Sequence, residues 1–459
     1  MKKSLFVFIV IFLINACRKN VVEEFREILP ANIDNTHIIH EEEAVRHVNS
    51  FMNAVTEDSV PTKGIVIFSE TKVKTFYRSI RFVNETNSGT WCKDSVLVPI
   101  YLIESENNQT KEKRTVMYVG DNRVSNPFVA FSDNGMFDLS EIPAFEEYFN
   151  YNLDSYIQTE ILISLLTKAR GGIPPEQNGY SCQAVSTYKI EVDINSAGPL
   201  ITNISWNQSN PENDSLYYCP SHGARIPSGC VAIAVAQILS YHGYPTSGSY
   251  SSYLTPGLTV STSYDWNIMT SVVDGELTAN ATIRSMIANL MAKLWGELTT
   301  SYHIGPATVV CFSSSDDYAA RAVLQGYGYT NANIINNNSS FLPTIRNEID
   351  NNRPVYMAGM APTSAGGGHA WVVDGYKDVC IEKGILYYCF LPGNNSSNPD
   401  LIWYEPEDLG ATSSYYRFKL GAGPLLDIYL LNAVAVFTHP SSGNGYDFSF
   451  YNTAIINIF

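Results

Sequence analysis

The stretch Ile226-Pro-Ser-Gly-Cys-Val-Ala-Ile-Ala-Val-Ala-Gln-Ile-Leu-Ser-Tyr-His-Gly-Tyr-Pro245 places Cys230 at the start of a helix that is apolar on nearly every side. A helix without a polar stripe is expected to be buried. Gly243 and Pro245 end it. A thiol at such a helix N-terminus meets free backbone N–H groups and the positive end of the helix dipole, which favour the thiolate. Cys230 is therefore a candidate nucleophile; the alternative is a small core residue, because free cysteine is often buried.

The composition is that of a globular protein with room for two or three domains. The chain has 459 residues, of which 45% are hydrophobic and 12% aromatic. Its formal net charge is −16 at pH 7. Because no basic cluster offsets this charge, the sequence argues against nucleic acid or an anionic membrane surface as a partner.

The N-terminus has the pattern of an export signal. Lys2 and Lys3 precede an apolar run over 5–14, which is too short to span a membrane and suits a signal peptide. Leu13-Ile-Asn-Ala-Cys17 then resembles a bacterial lipobox. We expect residues 1–17 to be a lipoprotein signal peptide with lipidation at Cys17 and residues 18–39 to be a tether. Ordinary signal cleavage or an uncleaved anchor are the alternatives, since Asn15 is unusual in that motif.

An exported lipoprotein of this kind would be held by its lipid on the periplasmic or cell-surface side of a bacterial membrane, with release after maturation as an alternative. Seven cysteines follow Cys17, without any C-x-x-C pair, which argues against a zinc site. An oxidising compartment allows up to three disulfides among seven cysteines and leaves one thiol. Cys230 is the candidate for that free thiol.

Charge density divides the chain into two parts. Residues 1–170 hold 41 of the 74 charged residues, and the shift coincides with the Gly- and Pro-rich stretch Ala169-Arg-Gly-Gly-Ile-Pro-Pro-Glu176, which is typical of a linker. We therefore predict a small α+β module over 40–168, a linker over 169–180 and a larger α+β domain over 181–459.

Hydrophobic periodicity places the elements within these parts. In the first part it predicts helices at Glu41–Val55 and from Ser140 to about Leu165, and short strands at Gly64–Phe68, Lys74–Phe82, Ser95–Glu104, Arg114–Val119 and Pro127–Ser132. In the second part it predicts helices at Leu277–Thr299, Asp317–Leu324 and Leu342–Asn351 besides the cysteine helix. The chain beyond them is strand-rich, as in an α+β domain of two halves with a cleft between them.

A thiolate nucleophile needs a base within hydrogen-bond reach. Of eight histidines, His369 has the most suitable context, because it follows three glycines and begins the strand Ala370-Trp-Val-Val-Asp-Gly375. Glycines permit close backbone approach at a cleft. The alternative is a structural histidine that caps the strand. A tetrahedral oxyanion also needs preorganised donors; the N–H of Cys230 and the side chain of Gln208, beside Trp206, are the candidates.

Together these stretches resemble the streptopain family of bacterial, papain-like cysteine peptidases. The resemblance rests on Ser205-Trp-Asn-Gln-Ser-Asn-Pro211, Cys219-Pro220, the cysteine-helix string over 229–245, Arg353-Pro-Val355 and Gly368-His-Ala-Trp-Val-Val-Asp-Gly-Tyr376. It implies a two-lobed papain-like domain that hydrolyses peptide bonds in protein or peptide substrates without metal or cofactor. Cys230 would be the nucleophile, His369 the base and acid, and Gln208 the oxyanion donor.

The resemblance also implies that residues 40–168 are an inhibitory prodomain, so that the enzyme is made as a zymogen and inhibited by part of its own chain. Met117-Tyr-Val-Gly-Asp-Asn-Arg123 and Val129-Ala-Phe-Ser-Asp-Asn-Gly-Met-Phe-Asp138 carry this likeness. Activation would need cleavage or displacement around 165–176.

One segment departs from the family pattern. The family has an Asn-Trp-Gly-Trp-Gly-like segment after the histidine strand, whose side chains orient the histidine. Phe390 and Leu391 stand at the aligned positions, and Asn394 or Asn395 is the candidate replacement. A histidine without its orienting partner is less well preorganised. The competing hypothesis is therefore a surface lipoprotein that uses a degenerate peptidase fold to bind protein or peptide.

Overall fold

The computed structural model describes most of the chain from residue 37 to the C-terminus. The described residues are 37–56, 68–85, 91–107, 113–132, 139–167, 181–202, 204, 206–220, 223–270, 280–298, 301–304, 311–314, 316–360, 368–390, 401–406, 411–421, 427–435 and 452–459.

The N-terminal module is a four-stranded meander between two helices. A 3₁₀ turn at Leu139–Glu141 precedes the second helix. The elements are α1 (Glu41–Thr56), β1 (Phe68–Glu85), β2 (Trp91–Asn107), β3 (Lys113–Val119), β4 (Phe128–Ser132) and α2 (Pro143–Thr167).

The remaining elements begin with a long strand and four short ones around the cysteine helix: β5 (Ser181–Ala197), β6 (Tyr218–Cys219), β7 (Ala224–Arg225), α3 (Cys230–His242), β8 (Ser247–Ser251) and β9 (Thr259–Ser263). Helices and short strands follow: α4 (Trp266–Met269), α5 (Ala281–Glu297), β10 (Ser301–Ile304), β11 (Cys311–Ser314), α6 (Asp317–Gly326), β12 (Asn333–Asn336) and α7 (Phe341–Asp350). The last part is mostly strand: β13 (Val355–Met360), β14 (Gly368–Phe390), β15 (Leu401–Pro406), β16 (Ala411–Lys419), β17 (Asp427–Leu431), α8 (Asn432–Ala435) and β18 (Asn452–Ile456).

One large antiparallel sheet runs through both parts of the chain. Its strand order is β1-β2-β3-β4-β17-β16-β14-β13-β18-β12, with β5 and β15 also paired to β14. The two parts meet where β4 pairs with β17, at Phe131 opposite Tyr429 and Ala130 opposite Leu430. The rings of Phe131 and Tyr429 stack there with centroids 4.8 Å apart. The N-terminal module thus continues the second part's sheet.

The two faces of this sheet carry different cores. Ala370 and Val372 pack in one core with helix α3, whereas Trp371 and Val373 pack in the other with the N-terminal module. This division follows from the strand itself, because successive side chains of β14 point to opposite faces. His369 lies on the same face of β14 as Trp371, because the two residues are two positions apart on the strand.

A buried ion cluster joins β14, β16 and β17. Asp374 is fully buried and accepts hydrogen bonds from Arg417 at 2.6 Å and from the Ile201 N–H at 2.9 Å. Arg417 and Lys419 both donate to Asp427. Because a buried charge is costly unless it is paired, each member holds the others in place.

The predicted helices are confirmed, with ends that differ by a few residues: Glu41–Thr56, Ala281–Glu297, Asp317–Gly326 and Phe341–Asp350. The molecule is a mixed α+β protein, as expected. The predicted strand at Gly64–Phe68 lies outside the described residues apart from Phe68, the first residue of β1. In the described part of the chain, no helix combines the length and apolar character that crossing a membrane requires.

Candidate active site

Cys230 is the first residue of α3, as the sequence predicts. Gly229 caps this helix with φ 91°, a left-handed value that favours glycine. The helix is buried along its length from Val231 to Ser240. Cys230 has a free thiol and is half-buried, whereas Cys219 is disulfide-bonded. The expected free thiol therefore stands at the helix N-terminus.

The thiol of Cys230 is neutral in this conformation. Burial raises its pKa above the ordinary value, while hydrogen bonds from the backbone of Ala370, Val231 and Cys230 itself lower it. The helix N-terminus thus stabilises the thiolate as expected, but desolvation outweighs that contribution. An added positive charge or a more open site is needed to ionise the thiol.

Gln208 lies beside the turn that leads into α3. Its backbone carbonyl accepts a hydrogen bond from the Ser228 N–H at 3.0 Å, and its side chain is half-buried. The neighbouring Trp206 is 1% exposed and belongs to the core against which Cys230 packs. These contacts bring the Gln208 segment to the nucleophile although 22 residues separate them in sequence.

His369 lies on the other face of β14 from the cysteine helix. It is 4% exposed, and its ring meets Phe145 edge-on with centroids 6.0 Å apart. It also stacks on Trp371. Its Nε2 is 2.8 Å from the Leu420 carbonyl oxygen. Since a carbonyl only accepts, Nε2 carries the proton and donates it.

The expected base is therefore neutral and turned away from the nucleophile. Burial lowers the pKa of His369 to about 4, and the hydrogen bond to Leu420 only partly offsets this. Both residues lie within the described part of the chain, which has no hydrogen bond between the Cys230 thiol and the His369 ring. The structure brings the backbone of Gln208 to the turn just before Cys230 but does not bring His369 into contact with the thiol.

Two groups at His369 were missed by sequence reasoning. The Leu420 carbonyl takes the second ring nitrogen, for which Asn394 or Asn395 was the candidate; both asparagines lie outside the described residues. Phe145 comes from helix α2 of the N-terminal module. Neither carries a sequence signal, because a backbone carbonyl has no residue preference and an apolar ring on a helix looks like any core residue.

A carboxylate on the cysteine side of the sheet was also missed. Asp317, the first residue of α6, accepts hydrogen bonds from the hydroxyls of Tyr356, at 2.7 Å, and Thr453. Its charge raises the pKa of Cys230, so the two groups are near each other. In sequence Asp317 reads only as a helix start. Among the described residues, no group of three or more His, Cys, Asp or Glu side chains is arranged to hold a metal ion.

Comparison with known proteins shows that the region of the site is similar to one family. The family model described as Peptidase C10 family matches residues 206–389, which include Gln208, Cys230 and His369. This match covers less than half of the chain. The chain is therefore similar to the cysteine peptidases of the streptopain family, and this similarity supports a cysteine peptidase.

Two relatives define how far this similarity extends. Streptopain of Streptococcus pyogenes is 29% identical over 203 residues, which cover 38% of this chain and 48% of streptopain. The thiol protease/hemagglutinin PrtT of Porphyromonas gingivalis is 30% identical over 193 residues, which cover 38% of this chain and 20% of PrtT. The chain thus spans about half of streptopain and a fifth of PrtT.

Proposed function

We propose that this chain is a cysteine endopeptidase made as a latent precursor, with Cys230 as nucleophile and His369 as base and acid. The observation that carries the proposal is the free thiol at the N-terminus of buried helix α3, inside the C10 match. Its substrates would be protein or peptide segments. No cofactor is needed, because the thiol and the imidazole supply the nucleophile and the proton transfers.

The chemistry follows from the residues at the site. His369 takes the Cys230 proton, and the thiolate forms a C–S bond with the scissile carbonyl carbon. The oxyanion accepts hydrogen bonds from the Cys230 N–H and the Gln208 side chain. His369 then gives its proton to the leaving amine as the C–N bond breaks. Water hydrolyses the resulting thioester and restores the thiol.

Residues 40–168 would act as the inhibitory prodomain. Three contacts support this role. Helix α2 places Phe145 on His369, and Tyr148 of the same helix donates to Asn452 at 2.5 Å. Strand β4 continues the sheet through β17. A neutral imidazole held by Leu420 and covered by Phe145 cannot deprotonate the Cys230 thiol from the opposite face of β14.

Activation would therefore require this module to leave the sheet, so that His369 loses its apolar cover and can turn toward Cys230. Cleavage near Lys168 or Arg170, in the linker over 169–180, would permit that departure; these residues lie outside the described part. The two-lobed papain-like arrangement, the signal peptide, the tether over 18–39 and lipidation at Cys17 remain predictions. So does export to the periplasmic or cell-surface side.

The non-catalytic alternative is not favoured. It rested on the lost Asn-Trp segment, which leaves His369 without its usual orienting group. In the structure the histidine does have a partner, the Leu420 carbonyl, and its separation from Cys230 is explained by a latent state.

The test is self-processing of the full chain. Wild-type protein, incubated in reducing buffer, should lose its N-terminal module and then degrade a flexible substrate such as casein. Cys230→Ala should do neither. Cys380→Ala, which removes a cysteine of β14 away from the site, is the matched control and should behave as wild type. Unchanged proteolysis in Cys230→Ala would rule the proposal out.

A further inference from the structure

Asp317 is a half-buried carboxylate whose hydrogen-bond partners, in the described part of the chain, are two hydroxyls. Each of its oxygens accepts one hydroxyl hydrogen bond, from Tyr356 and from Thr453. Within the described residues no Lys or Arg side chain pairs with it. A carboxylate removed from water without a cation is costly, whereas one that later meets a cation regains that energy.

Several other buried carboxylates are paired with a cation. Asp374, Asp378 and Glu348 are each nearly or fully buried, and each contacts an arginine at 2.6 to 2.8 Å. Asp317 differs from these three in lying near the nucleophile and in having no Lys or Arg partner among the residues that the structure describes. Each of its oxygens also keeps a lone pair after the hydroxyl bonds are made, because a carboxylate offers about four acceptor positions.

The strand register shows on which side of Cys230 this carboxylate lies. The Cys230 sulfur takes a hydrogen bond from the backbone of Ala370, which pairs with Ala358 on β13. Tyr356, which donates to the carboxylate, is two residues further along the same face of β13, away from the His369 end. Two residues of a strand span about 7 Å. Thr453, the other donor, pairs with Ala358 itself, so the carboxylate lies beside Cys230, between the levels of Ala358 and Tyr356 and not at the level of His369.

That placement does not suit a partner for the imidazole, which would have to lie beyond His369. It suits a substrate side chain, because a peptide whose carbonyl is attacked by Cys230 extends past the thiol in both directions. The charge of Asp317 is the feature that such a side chain would recognise.

We propose that Asp317 is a specificity-determining residue that binds a lysine or arginine side chain of the peptide substrate beside Cys230. This inference rests on the proposed peptidase function. Tyr356 and Thr453 hold the carboxylate in place, and the substrate's cation supplies the missing pair. A charge-assisted hydrogen bond in such a site changes kcat/KM by about 10- to 100-fold.

The experiment compares peptides that differ only in charge. A set of fluorogenic peptides carries arginine, or its neutral isostere citrulline, at each position near the scissile bond. The self-processed enzyme should cleave the arginine peptide about 10- to 100-fold faster in kcat/KM at one position. Asp317→Asn should remove that preference, so that the arginine and citrulline peptides are cleaved at similar rates. Asp316→Asn, which removes a neighbouring charge that caps α6 through Ala319, should keep the preference.

Equal rates for the two peptides at every position in wild type, or a preference that survives Asp317→Asn, overturns the proposal and leaves the peptidase function standing. A second readout does not depend on turnover. Cys230→Ala chain, processed in trans by wild-type enzyme, should bind the arginine peptide about tenfold more tightly than the citrulline peptide. Equal binding also overturns the proposal. Loss of all hydrolysis together with normal arginine-selective binding would instead count against the proposed peptidase function.

Discussion

Phe145 of the N-terminal module meets His369 of the C10 region edge-on, with ring centroids 6.0 Å apart. The two residues are separated by more than 200 positions in sequence, and their contact joins the module to the residue expected to act as base. Phe145 also packs against Trp371 and Phe418. The module thus covers the face of the sheet on which His369 lies.

Phe145→Ala should loosen this cover. We expect a loss of about 3–5 kcal/mol of unfolding free energy and faster self-processing of the full chain. Phe149→Ala is the matched control, because Phe149 lies on the same helix and is equally buried. Phe149→Ala should lower the unfolding free energy by a similar amount without a comparable increase in the rate of self-processing. Denaturant unfolding measures the stability of each variant, and gel time courses measure its self-processing. Equal acceleration in the two variants would show that general loss of stability, and not loss of the Phe145 contact, controls activation.

Acid should destabilise the latent form through His369. Burial lowers its pKa from 6.5 to about 4, so between these values the unfolded chain binds the proton that the folded chain excludes. The unfolding free energy should therefore fall by about 1.4 kcal/mol per pH unit, about 3 kcal/mol in all, as pH drops from 6.5 to 4. Above pH 6.5 this contribution is constant.

The pH measurement compares urea unfolding of wild type with that of His369→Gln at several pH values. Other groups titrate in both proteins, so the difference between the two curves isolates the histidine. A difference that does not change between pH 7 and 4.5 would contradict a buried, neutral His369.

Arg417→Leu should destabilise the chain strongly, because it leaves Asp374 fully buried without its arginine. Removal of one partner of a buried pair costs about 3–5 kcal/mol. Arg284→Leu breaks the pair with Asp214, in which both side chains are 30% exposed, and should cost less than about 1 kcal/mol. Denaturant unfolding of the two variants checks this order, and similar losses would argue against it.

Gln208→Ala should lower kcat of the processed enzyme by about 10²- to 10³-fold with little change in KM, since an oxyanion donor acts only in the transition state. Asn207→Ala, at the neighbouring half-buried position, is the control and should keep most of the activity. Steady-state kinetics on one peptide give kcat and KM for wild type and both variants. A loss confined to KM would assign Gln208 to substrate binding instead.

The local structure of the site was predictable from sequence, and its assembly was not. Helix α3 follows from an apolar run that begins after Gly229 and ends at Gly243, and strand β14 follows from the residues after His369. The direction of the His369 side chain depends on strand parity, on the Leu420 carbonyl and on Phe145, contacts between distant parts of the chain. The join between β4 and β17 has the same origin, because any edge strand of suitable length could pair there. The sequence did not indicate a functional role for Asp317, because aspartate is common at the start of helices.

We expect the intact chain to hold Cys230 as an unreactive thiol until the N-terminal module leaves. Alkylation of Cys230 by iodoacetamide at pH 7, followed by peptide mass spectrometry, measures this in the intact and the self-processed chain. Alkylation should be slow in the intact chain and at least about tenfold faster after processing, because the thiol then meets the His369 imidazole. Equal rates in the two forms, or an unreactive Cys230 after processing, would contradict the account.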